Sequence, residues 1–167
     1  IAAPYPLQSE VVPQGITEIM LGAFSYVDDE SFSVKLPNTL KKIGQEAFWN
    51  SGLASIIIPE GVTTIGLRAF SYCTNLKRVE IPSTVKKIDA WMFDWCQFTG
   101  PEAGLQEVIL HEGVTIIDWL AFHYALTRGA RVYIPASVKT ISGAGYASWA
   151  LNPHALYSHY LHLLLAL

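Results

Sequence analysis

Few residues in this chain have the types and spacings that chemistry demands. Cys73 and Cys96 are its two thiols, and neither has a histidine base at a recognisable spacing. His154, His159 and His162 crowd the C-terminus, where an i, i+3 step places two imidazoles on one helix face. No cysteine or carboxylate stands near them, so a zinc site would lack its remaining ligands. The sequence offers no Gly-rich phosphate cradle, paired-carboxylate motif or nucleophile triad. The chain is therefore expected to be non-catalytic, with no cofactor and no metal.

Composition narrows the remaining classes. The 167 residues are 51% hydrophobic and only 15% charged, which describes a packed protein with a substantial core. A net charge of −3 argues against the broad basic surface that nucleic-acid binding needs. Two cysteines are too few for a disulfide-dense scaffold. The chain starts at Ile1 and shows no signal peptide, as expected of a mature or excised segment. Its longest strongly apolar run, "LHLLLAL", is far too short to span a bilayer, so membrane insertion by this segment is not expected.

What the chain does have is an internal repeat. Six copies align on Pro13, Pro37, Pro59, Pro82, His111 and Pro135, at intervals of 24, 22, 23, 29 and 24 residues. Three residues on lies an aliphatic (Ile16, Leu40, Val62, Val85, Val114, Val138), and three further always isoleucine (Ile19, Ile43, Ile65, Ile88, Ile117, Ile141). Then come Ala23-Phe24, Ala47-Phe48, Ala69-Phe70, Met92-Phe93, Ala121-Phe122 and Gly145-Tyr146. Such a period is too short for a self-sufficient domain and marks a solenoid. Before each anchor, stretches such as "LKRVEIP" alternate apolar and exposed positions, the pattern of a short strand. Strands are expected at 9–12, 33–36, 55–58, 78–81, 107–110 and 131–134, each ended by proline or its substitute.

The grammar "L..V.IP..V..I...AF..C..L", complete in residues 53–76, resembles the BspA-like leucine-rich repeats, over roughly residues 7 to 149. The resemblance implies an α/β-type leucine-rich repeat, mainly β, with parallel strands on a concave face. It also implies a secreted or cell-surface protein that binds a protein partner, such as a host or matrix protein. Residues 1–8 then read as a lead-in and 9–150 as the solenoid of six repeats, with an insertion at 97–104. Asn152-Pro153 is a helix-start signal, and the leucines that follow gather on one side. Residues 151–167 are expected to form a cap helix over the last coil.

Three surfaces are candidates for use. Outward strand positions include Lys35, Ile57, Arg78, Glu80, Glu107, Ile109, Arg131 and Tyr133, a mixture of apolar, aromatic and arginine side chains that suits protein binding. An ordinary sheet surface carries similar residues. Tyr26, Tyr72, Trp95 and Tyr124 recur at one edge, where they either brace the solenoid or form an apolar patch that meets a partner or stacks on sugar rings. Lys41-Lys42, Lys86-Lys87 and Lys139 make an interrupted basic line that reads as a solvated face. The alternative to binding is a structural scaffold, either an array segment of a longer surface protein or a unit that stacks end to end. Cys73 and Cys96 share one repeat position, whose other occupants are small, and both are expected to be buried free thiols.

Overall fold

The computed structural model describes residues 9–97 and 103–142. The expected lead-in at 1–8, the cap helix at 151–167 and most of the 97–104 insertion lie outside them. The described residues form a mainly β, parallel solenoid with no α-helix. Each coil carries a longer strand before the anchor and a two-residue strand after it. The longer ones are β1 (Ser9–Val11), β3 (Ser33–Lys35), β5 (Ser55–Ile57), β7 (Arg78–Ile81), β9 (Leu105–Leu110) and β11 (Leu126–Tyr133). The short ones, on the segment that the repeat pattern marks only as a return path, are β2 (Glu18–Ile19), β4 (Lys42–Ile43), β6 (Thr64–Ile65), β8 (Lys87–Ile88), β10 (Ile116–Ile117) and β12 (Thr140–Ile141).

All pairings are parallel, but neither ladder is continuous. The long strands divide into β1-β3 and β5-β7-β9-β11; the short ones divide into β2-β4-β6 and β8-β10-β12. The two seams are staggered. Coil three is joined to coil two through β4-β6 and to coil four through β5-β7, so no neighbouring pair is unlinked. At the first seam the leucine that enters the core as Leu53, Leu76 and Leu105 is replaced by Phe32, one position nearer its strand. The last strand also departs from the expected 131–134. Leu126 pairs with Leu105 and Arg131 with Glu107, leaving three extra residues bulged between them.

Burial follows the repeat. The isoleucines after the anchors are buried from coil one through coil five, as are the strand residues Ile56, Val79, Val108 and Val132. At the far side of each coil Phe24, Phe48, Phe70, Phe93 and Phe122 stack with centroids 5.2, 5.3, 5.6 and 5.2 Å apart and planes within 8°. These offset parallel rings exclude water along the array and make one column of contacts from five coils.

Backbone hydrogen bonds hold the phenylalanine arm in a direction of its own. There each coil donates forward: Phe24 N–H to Ala47 C=O (2.7 Å), Phe48 to Ala69 (2.9 Å), Phe70 to Met92 (3.0 Å) and Phe93 to Ala121 (3.0 Å). Just past β4, β6, β10 and β12 the donors point backward, from Gly44 to Ile19, Gly66 to Ile43, Asp118 to Ile88 and Ser142 to Ile117. The phenylalanine arm also needs a left-handed residue on either side of each ring. Gly22, Glu46, Arg68, Trp91 and Leu120 fill the first column, and Tyr26, Asn50, Tyr72, Trp95 and Tyr124 the second, with φ between 45° and 62°. Non-glycine residues incur a steric penalty there, and the repetition shows that stacking over-determines the conformation.

Candidate interaction surfaces

On the outer side of the long strands two columns of side chains project, set by the pairing register. One runs Ser55, Arg78, Glu107, Arg131 and the other Ile57, Glu80, Ile109, Tyr133. Val11 and Lys35 stand opposite each other at the N-terminal end of the second column. Three apolar members are well exposed, Val11 at 67%, Ile57 at 76% and Tyr133 at 40%, whereas Ile109 is half-buried.

The charged members are not independent. Arg78 donates to Glu107 Oε2 (2.8 Å) and Glu80 Oε2 (2.9 Å), and Arg131 reaches Glu107 Oε1 at 3.2 Å. His111 Nε2 closes the chain on Glu80 Oε1 at 2.7 Å. The imidazole contact, ahead of the guanidinium, holds the Glu80 carboxyl below its ordinary range. His111 is thus more than a tolerated substitute for proline, because its ring joins this cluster and its N–H donates to Ile81 C=O at 3.1 Å. The sequence points to Arg78, Glu80, Glu107 and Arg131 but not to the pairing of Glu107 with both arginines, which only the stacking of coils brings about.

At the coil edge the aromatics form one contiguous ladder. Tyr72 and Trp95 stack at 6.2 Å, and Trp95 and Tyr124 at 4.7 Å. Asn50 interrupts that column in coil two, and Trp49, one residue earlier, fills the gap against Tyr26 (4.7 Å) and Tyr72 (5.9 Å). Sequence reasoning misses Trp49 because it follows one column only. It also misses His123, which packs on Trp95 and Tyr124 and bonds through Nδ1 to the buried Asp94 (2.7 Å). Burial raises the Asp94 carboxyl above its usual range, and the imidazole opposes that shift. Trp95 has its ring faces against neighbouring rings, whereas sugar stacking needs a free face.

The lysine line is largely neutralised where it doubles. Lys42 pairs with Glu18 (2.6 Å), and Lys87 bridges Asp89 (2.8 Å) and Asp118 (2.7 Å). Among the described residues no group of three histidine, cysteine or acidic side chains could hold a metal ion.

Cys73 and Cys96 are free and fully buried. Their thiols donate to Phe48 C=O (3.0 Å) and Phe70 C=O (3.2 Å), the same contact made in two successive coils. Burial pushes the Cys73 thiol up to about 11 and also raises that of Cys96. At pH 8 the thiolate of Cys73 is on the order of a thousandth of the population. Both thiols are expected to resist a thiol reagent until the protein unfolds, then react together; rapid labelling in buffer would overturn this placement.

Comparison with known proteins agrees with this architecture. The family described as "BspA type Leucine rich repeat region (6 copies)" matches residues 4–103. Among solved structures, a leucine-rich repeat protein from Bacteroides ovatus is similar at a TM-score of 0.52 and 25% identity, covering 78% of this chain and 38% of that one. A leucine-rich repeat protein from T. pallidum is similar at a TM-score of 0.55 and 22% identity, covering 80% and 73%. A leucine-rich cell surface protein from Faecalibacterium prausnitzii has a TM-score of 0.44 and 23% identity, covering 81% and 41%. The chain thus spans about two-fifths of the length of the first and third. No curated protein sequence matches it. Six registered coils, the phenylalanine column and the family match together place this chain in the BspA-type leucine-rich repeat family.

Proposed function

We propose that this chain is a non-catalytic protein-binding module that works at a cell surface and grips its partner on the long-strand face, the concave side in the family's geometry. The observation that carries this reading is that Ile57 and Tyr133 are exposed beside one compact ion cluster, with Val11 exposed two coils before Ile57. A large apolar side chain outward on a sheet becomes useful when a partner removes it from water. Tyrosine and arginine carry much of the affinity at protein interfaces. Arg78 is braced by two carboxylates, so Arg131 and Tyr133 are the freer contacts, with Ile57 and Ile109 as the floor between Lys35, Glu80 and Glu107.

The test is surface binding to a panel of matrix and serum proteins, wild type against Arg78→Ala/Arg131→Ala/Tyr133→Ala. The triple variant should fold normally, because exposed ion pairs contribute only about 0–1 kcal/mol each. Its affinity for any captured protein should fall at least about thirtyfold, the loss of a ~2 kcal/mol hot spot. Undiminished binding by the folded variant defeats the reading, and the edge built on Tyr26, Tyr72, Trp95 and Tyr124 becomes the surface to test, with soluble glycans among the ligands.

A further inference from the structure

The carboxylates of the long-strand face are fully engaged, whereas its cations are not. Among the described residues the two outward columns hold two acids, Glu80 and Glu107, and each of their oxygens has a partner. Glu80 accepts from Arg78 at Oε2 and meets His111 at Oε1. Glu107 accepts from Arg78 at Oε2 and meets Arg131 at Oε1. Past the anchors the acids are taken up as well. Glu60 accepts from Ser83 Oγ (3.0 Å), and the two oxygens of Glu112 accept the N–H groups of Ala136 (2.9 Å) and Ser137 (3.1 Å).

The donors stand differently. Lys35 is exposed and makes no ion pair among the described residues. Arg131 meets Glu107 through one terminal nitrogen, and its side chain is 59% exposed. The rest of that guanidinium fork is open to an incoming acceptor. With His111 neutral, three cations (Lys35, Arg78, Arg131) against two carboxylates leave the face one positive charge, on a chain whose net charge is −3. An incoming basic group would have to displace a partner from Glu80 or Glu107. An incoming carboxylate finds a free ammonium and most of a free guanidinium, and this complementarity selects an acidic partner.

Spacing adds a shape to that charge. Lys35 lies in coil two and Arg131 in coil six, and coil steps of ~4.8 Å set them roughly 19 Å apart. An extended chain rises ~3.3 Å per residue and covers this distance in about six residues. An even step turns both end side chains to the same side, together with alternate ones between them. Beneath those lie the exposed Ile57 and the half-buried Ile109. We propose that the partner meets this face with an extended acidic segment of a protein chain: one carboxylate on Lys35, another about six residues on at Arg131, and apolar side chains over Ile57 and Ile109. The proposal rests on the long-strand face being the binding surface and names the chemistry of what it binds.

Random peptides displayed on phage and selected on the immobilised chain test this. The recovered peptides should be rich in aspartate and glutamate, and added salt should weaken their binding. Lys35→Gln/Arg131→Gln should weaken them at least about tenfold. Glu80→Gln/Glu107→Gln should tighten them, and a damaged fold would not produce these opposite effects. All four side chains reach solvent, so circular dichroism should be unchanged in both variants. Neutral or basic peptides that Arg78→Ala/Arg131→Ala/Tyr133→Ala releases would overturn the acidic partner and leave the face standing. Peptides that this triple variant retains would overturn both, as would a selection that recovers none. Acidic peptides indifferent to the two double variants also defeat the proposal. So does heparin held more tightly than any peptide, which would make the ligand a sulfated glycan.

Discussion

Phe70→Ala is expected to lower the unfolding free energy by about 3–5 kcal/mol, the usual cost of removing a buried phenylalanine. Phe70 is fully buried at the centre of five stacked rings, with Phe48 and Phe93 at 5.3 and 5.6 Å. Its removal leaves a void that two coils share, and their forward hydrogen bonds resist collapse into it. Urea denaturation with circular dichroism measures the loss, and a cost below about 1 kcal/mol would mean that the rings do not bind the coils together. A nearest-neighbour array can also lose cooperativity when a central junction weakens. A broadened transition with a lower apparent m-value would report that.

Gly113→Ala should destabilise far more than Gly15→Ala, although both glycines have positive φ (123° and 98°). The conformational penalty of a side chain at such angles, about 1–3 kcal/mol, is common to both. Only Gly113 faces a coil: a Cβ there would lie 2.2 Å from Ser83 C=O, whereas none of the described structure lies within 4 Å at Gly15. The backbone of the fourth coil would have to move, adding about 1–3 kcal/mol. Thermal melts of the two variants in dilute solution isolate that difference. Equal shifts would show that the junction between coils four and five is looser than its hydrogen bonds imply.

The repeat was legible because hydrophobic burial writes itself at fixed offsets. Ile43, Ile65, Ile88 and the phenylalanine column could be placed by counting, and so could the strands at Ser55–Ile57 and Arg78–Ile81. The bulge before Arg131 was not, because Leu126 pairs in register with Leu105 and only the following residues slip. Polar pairing across coils was equally hidden. Glu107 meets Arg78 and Arg131 only once stacking sets the register, and no local pattern announces it. The left-handed positions held by Glu46, Arg68 and Trp91 carry no compositional mark, since coil stacking rather than local preference imposes them. Trp49 was missed for a related reason: it replaces a partner in the neighbouring column, so alignment by single columns passes over it.

The opposed hydrogen bonds on the two sides of each coil have an electrostatic consequence. In an α-helix every peptide dipole points along the axis, and their sum leaves about half a charge at each end. Here the peptides of the phenylalanine arm, such as Phe48 N–H to Ala69 C=O, point one way along the array, and those after the short strands, such as Gly66 N–H to Ile43 C=O, point the other. The moments oppose one another around the circumference, as strand dipoles do in a sheet. Coils can therefore be added without building a field along the axis. At each junction the two contributions are separated in space: a coil donates to the next one on the phenylalanine arm and accepts from it after the short strand. The contact between coils thus carries no net charge but an angular pattern, and that pattern admits the neighbouring coil in a single rotational setting.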